Sequence, residues 1–152
     1  MTSDDATATL YRAICEATAD AIIFADRDGR IGLWNRGAEL IFGHAAADVI
    51  GQSLDIIIPE RLRAAHWEAF DRSLQTGLTK YTDRVLTTRA VHKDGTKRYV
   101  DLGFGLVRDE SGAIAGAFAI GRDCTARHAA ETALRARVQE LETRLAAVTP
   151  TT

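Results

Sequence analysis

Cysteine is scarce in this chain: Cys15 and Cys124 are the only two among 152 residues. They stand far apart in sequence, which excludes a cysteine metal motif and predicts two reduced thiols in a cytoplasmic protein. Neither charge sign dominates. Lys+Arg number 19 and Asp+Glu 21, for a formal charge of −2, so direct contact with nucleic acid is not expected. The longest apolar stretches fall far short of a membrane span, and the N-terminus carries no signal-peptide core. No nucleophile–base pair and no carboxylate pair stands out, so the chain does not read as an enzyme. Nor does any segment read as a kinase, cyclase or DNA-binding element. With 46% hydrophobic residues, the expectation is one soluble domain with extensions.

Periodicity predicts the order of elements. A flanking helix over residues 6–18 puts Leu10 and Ile14 on one side. Ala21–Ala25 and Ile31–Asn35 read as strands joined by the Asp26-Arg27-Asp28-Gly29-Arg30 turn. Short helices follow over 37–42, ending at Gly43, and over 45–49 before Gly51, and Ser53 can cap a brief turn. Three more strands are expected at 84–92, 98–107 and 113–122, with Gly95 and Gly112 in the turns between them. Val100, Leu102, Phe104 and Leu106 alternate with Tyr99, Asp101, Gly103 and Gly105, so one face of that strand is apolar. Ala113, Ala115, Ala117, Ala119 and Gly121 make one face of the last strand small, leaving room for a close-packed helix or for a ligand. Asp123 and Thr125 can each cap the first turn of an exit helix running to about Val148. Leu134, Val138, Leu141, Leu145 and Val148 step by four and three, the spacing of a heptad seam flanked by Arg137 and Glu142. A helix lying back across its own sheet would give similar spacing.

The helix around His66 is the most informative segment. Pro59 suits a first helical position, and the helix should run to about Gly77. Leu62, Ala65, Ala69, Phe70, Ser73 and Leu74 fall on one face with His66 in the middle. A titratable ring aimed at a core needs a partner, and a metal centre is one that fits. A core histidine bonded to backbone is the plainer alternative. His44 and His92 read as surface residues beside turns.

Two strands, short helices, a longer helix and three strands is the order of the PAS sensor fold. The chain resembles that family over roughly 12–127, through the Asp-Arg-Asp-Gly hairpin, Trp34-Asn35 with Ala38 and Phe42-Gly43, Gly51, Lys93-Asp94-Gly95-Thr96 and Arg122-Asp123-Cys124-Thr125. The fold class implied is α+β: a five-stranded antiparallel sheet with helices on one face. The flanking N-terminal helix would fall in residues 1–20, the sensor domain in 21–125 and the C-terminal helix in 126–152. Within the family the chain looks most like heme-binding gas sensors, the oxygen-sensing histidine kinases and the carbon-monoxide-responsive regulators. In those kinases the proximal iron ligand is a histidine seven residues after the proline of a Pro-Glu turn, which His66 matches from Pro59. Six residues on, Arg72 stands where an arginine pairs with a heme propionate. Arg84 is the nearest counterpart of an arginine that stabilises bound oxygen, though two residues closer to the histidine than in the kinases. Leu102 and Phe104 match two apolar residues over the distal face. The regulators use methionine as a sixth ligand, whereas the only methionine here is Met1.

The resemblance therefore implies heme b on His66, a diatomic gas (O2, CO or NO) as ligand and a relay through the C-terminal helix to an effector outside this chain, and the heptad spacing adds a homodimer. Two other readings stay open: a PAS module for flavin or a small metabolite, and a PAS module that only dimerises. No cysteine lies between Gly43 and the His66 helix, where the light-sensing flavin subgroup forms its photoadduct.

Overall fold

The computed structural model describes residues 3–80 and 83–148. Its elements are α1 (Ser3–Ala17), β1 (Ala21–Asp26), β2 (Ile31–Trp34), α2 (Arg36–Phe42), α3 (Ala46–Val49), α4 (Glu60–Thr76), β3 (Leu86–Val91), β4 (Lys97–Arg108), β5 (Ile114–Asp123) and α5 (Thr125–Val148). The strands form one antiparallel sheet in the order β2-β1-β5-β4-β3. This is the expected α+β architecture.

Turn chemistry explains the hairpins. In the β1–β2 turn one Asp26 carboxylate oxygen accepts from the N–H groups of Asp28 and Arg30, both at 2.9 Å, and Gly29 supplies the positive φ of 74°. In the β3–β4 turn Asp94 accepts from the Thr96 N–H at 2.8 Å and the Thr96 hydroxyl at 2.6 Å. These bonds, with a smaller contribution from His92, hold the Asp94 carboxyl down at about 2 against an ordinary 3.8. Because the folded state favours the ionised form, this stabilisation is in place above about pH 3.8 and is lost as the pH falls through about 2. Carboxyl-carbon NMR should show Asp94 titrating near 2 in the parent, and Thr96→Val should move it back toward the ordinary value.

Strand register decides what faces the helices. Ala21, Ile23 and Ala25 of β1 are buried and lie opposite Gly121, Ala119 and Ala117 of β5. Those three pair in turn with Leu102, Phe104 and Leu106 of β4. The small row of β5 is thus the middle of the helix-facing surface. Leu102 leans over it so closely that a Cβ on Gly121 would stand 2.2 Å from a Leu102 methyl. Phe70 of α4 is part of the buried core, and Trp67, Leu74, Leu102 and Ala117 pack against that core.

One buried polar side chain ties the N-terminal half together. Asn35, 0% exposed, caps α2 by accepting from the Ala38 N–H at 2.9 Å and also accepts from the Ile22 N–H at 2.8 Å. Its amide donates to the carbonyls of Cys15 at 2.7 Å and Asp20 at 3.0 Å. Gly37 follows because a Cβ there would meet the Asp20 carbonyl oxygen at 2.1 Å.

Several boundaries differ from the sequence expectation. Pro59 is the residue before α4 rather than its first member, and β3 begins at Leu86, two residues after Arg84. Thr125 does not cap α5: its hydroxyl accepts from the Tyr99 N–H at 2.9 Å, while Asp123 accepts from the Thr125 N–H at 2.8 Å. The α5 helix does not lie back on the sheet, since every residue from Ala129 to Val148 is exposed. Leu10 and Ile14 of α1 are likewise exposed. His44 and His92 are half-buried rather than on the surface.

Candidate functional site

Two side chains of α4 fix how that helix is rolled on its axis. The Trp67 indole N–H donates to an Asp55 carboxylate oxygen at 2.9 Å, and its ring lies on Gly29, where any Cβ would collide with it. Arg63 donates to the carbonyls of Ile58 and Asp55, each at 3.1 Å. With these contacts made, Arg63, His66, Trp67, Phe70, Ser73 and Leu74 face inward, while Ala65 and Ala69 are exposed. The expected stripe is therefore rotated. Small alanines fill an apolar pattern in sequence, but the larger rings take the interface because they remove more area from water.

His66 sits inside an aromatic corner. Its ring stacks on Phe70 at 6.2 Å between centroids and meets Trp67 edge-on at 4.7 Å. The Nδ1 atom is buried and has no hydrogen-bond partner. Burial pushes the imidazole pKa below its ordinary value, against an opposing pull from the Asp55 carboxylate. The ring is consequently neutral near pH 7 and carries an unmet bonding demand, the state of an imidazole that can ligate a metal. His44 Nε2 and Arg98 Nε share the same lack of a partner. His44 meets a single ring, Trp34, edge-on at 6.4 Å, whereas His66 lies between two, Trp67 and Phe70.

Of the residues singled out beside His66, Leu102 joins the cluster of Phe70 and Trp67, and Phe104 lies half-buried on the same face of β4. Arg72 is on the outer side of α4 and donates to Glu68 at 2.5 Å, both side chains being more than half exposed. The local ion pair is thus what Arg72 makes, and it does not turn toward His66. Arg84 is exposed and precedes β3. Cys124 is buried, its thiol pKa raised by burial and by Asp101. That suits a small core residue.

Sequence reasoning missed the junction between β5 and α5. Asp101 accepts from the Thr87 hydroxyl at 2.5 Å and from Arg127 of α5 at 2.7 Å, which holds its carboxyl pKa low. The Tyr99 ring stacks on His128 with centroids 3.6 Å apart and planes 9° from parallel. Arg122 at the end of β5 pairs with Asp20 through two 2.8 Å bonds. Only the charge signs of these residues are visible in sequence, because partners 26 and 102 positions apart meet through strand register.

Comparison with known proteins fits this architecture. A protein-family model described as the PAS fold matches residues 9–124. The chain is similar to an uncharacterised protein of Azorhizobium caulinodans, at 37% identity over 86 residues, 56% of this chain and 12% of that protein. It is also similar to the sensor protein FixL of Bradyrhizobium diazoefficiens, at 33% identity over 92 residues, 60% of this chain and 16% of that protein. The chain thus spans less than a fifth of the length of these relatives. Among solved structures, the PAS domain of a protein from Colwellia psychrerythraea superposes with a TM-score of 0.68 at 22% identity, covering 78% of this chain and 98% of that one. With its sheet order, its helices over one face and a family match across most of its length, this chain belongs to the PAS fold family.

Proposed function

We propose that this PAS domain is a heme-based gas sensor rather than an enzyme, with His66 as the axial ligand of heme b. The observation that carries the reading is the half-buried His66 ring, its pKa lowered by burial, with a buried and unpartnered Nδ1 beside Trp67 and Phe70. Among the described residues no group of three or more His, Cys, Asp or Glu could hold a metal ion. An iron at His66 would therefore bring its other ligands with it, as a porphyrin does. The similarity to a sensor protein over the matched segment supports the same reading.

Bound heme would supply an iron able to take O2, CO or NO. The work of the chain is to hold and surround it. His66 gives a neutral imidazole. Leu102 and Phe104 contribute apolar walls without a competing ligand, and the small row of β5 keeps the sheet surface low. Arg72 would serve a propionate by exchanging one carboxylate partner, Glu68, for another. Arg84 is the arginine assigned to the gas side. The state of the site would pass along β5 to Asp123 and Thr125, and so to α5. An absorption spectrum of the purified protein tests this reading. A strong Soret band is expected, whereas a flavin band would favour the flavin reading, and a featureless spectrum a module without either.

The exposed seam of α5 extends the proposal to a homodimer that passes the signal to an effector outside this chain. Leu134, Val138, Leu141 and Leu145 are all between 46% and 69% exposed, an apolar stripe that a parallel second copy would cover. Leu141→Asp places a charge in that seam, and light scattering should show conversion of dimer to monomer with the absorption spectrum unchanged. A parent that is already monomeric at micromolar concentration would refute the pairing. No helix of the described residues is long and apolar enough to cross a membrane, and a cytoplasmic location is part of this reading.

A further inference from the structure

A cleft of about 230 Å³ opens at the β3 edge, and His66 is not among its lining residues. Arg61 of α4, Thr88 and Arg89 of β3, Tyr99 of β4 and His128 of α5 line it. No acidic residue is among its lining. Among the described residues neither Arg61 nor Arg89 is held by a carboxylate, whereas Arg63, Arg122 and Arg127 all are. Arg89 instead rests over the Tyr99 ring, its guanidinium carbon 5.8 Å from the centroid. Arg61 and Arg89 thus line one concave space, and the Asp101 carboxylate bonded to the lining residue Thr87 is already paired with Arg127.

We infer that this cleft binds a small oxyanion, a phosphate or carboxylate group, between Arg61 and Arg89. The guanidinium fork matches both groups in geometry, and such charge-assisted bonds are the strong ones. At about 30 Å³ per water, the space matches a handful of waters, enough for phosphate or a short dicarboxylate. The position gives the site a consequence. A ligand held here touches α4, the β3 edge and the His128–Tyr99 stack that anchors the first turn of α5. It would join the sensing helix to the exit helix. This site does not rest on the heme reading and is tested without heme.

The test is a ¹H–¹⁵N NMR titration of the whole chain with inorganic phosphate and, separately, succinate, at constant ionic strength balanced with chloride. Saturable shifts are expected at Thr88, Arg89 and His128, with a dissociation constant in the millimolar range or tighter. Arg61→Gln and Arg89→Gln should each weaken binding roughly tenfold or more. Arg135→Gln, on the exposed part of α5, should leave it unchanged. Saturation by phosphate alone identifies a phosphate site, by succinate alone a carboxylate site, and by both a general oxyanion site. Shifts that stay linear with both anions overturn the inference. So does binding that survives Arg61→Gln or Arg89→Gln unchanged, or that Arg135→Gln weakens equally.

Discussion

His66→Ala is expected to abolish heme retention. Loss of a mere outer-shell partner of a metal ligand already costs roughly 10–100-fold in affinity. Losing what is proposed as the single protein ligand should cost more, so the Soret band should vanish after purification. His66→Leu separates ligation from structure. The Nδ1 atom is buried with no protein group to bond, a condition that costs about 1–3 kcal/mol. Leucine removes that cost and keeps most of the volume against Phe70 and Trp67. The heme-free Leu variant should therefore melt at or above the parent. A histidine present for its structural bonds would give the opposite result. An unchanged Soret spectrum in His66→Ala would show that another residue holds the iron.

Asn35→Ala is expected to be the most destabilising single polar substitution in the sensor core. The side chain makes four hydrogen bonds, to Ile22, Ala38, Cys15 and Asp20, and none of its surface reaches water. Losing the α2 cap alone costs about 1 kcal/mol. Each buried group left unpaired adds about 1–3 kcal/mol. A total of about 3–5 kcal/mol would remove a large share of the roughly 5–15 kcal/mol typical of a folded domain. Thermal melting followed by circular dichroism should show a drop of roughly 10 °C or more. Asn35→Asp keeps the acceptor for Ile22 and Ala38 but faces the carbonyls of Cys15 and Asp20 with an oxygen. It should rescue only part of the loss. A drop under about 1 kcal/mol for Asn35→Ala would mean that water or backbone movement replaces these bonds.

Much of the fold was legible because its signals are local. Gly43 and Gly77 end α2 and α4 with φ of 78° and 70°, as their positions after apolar periods predict. The alternation from Val100 to Leu106 identified the helix-facing side of β4, and the Asp-Gly turns located the hairpins. Leu102 and Phe104 were placed on the correct face for the same reason. A strand's two faces follow from its period of two residues, whatever it pairs with.

By itself, then, the sequence determined the elements, their order, the PAS fold and the presence of His66 on a partly apolar helix. The roll of α4 was decided only by tertiary structure. Its periodicity is compatible with several inward stripes, and the bonds of Trp67 to Asp55 and of Arg63 to Ile58 and Asp55 select the one that turns His66 inward. Arg72 could not be assigned from spacing, because a flexible cation takes whichever carboxylate is nearest, and here that is Glu68. The Arg61–Arg89 cleft, the Asp101 bonds and the His128–Tyr99 stack were invisible for a different reason. Their members come from separate elements, and only antiparallel register across β3, β4 and β5 sets the distances between them. Local chemistry writes the elements, whereas long-range pairing decides which side chains become neighbours.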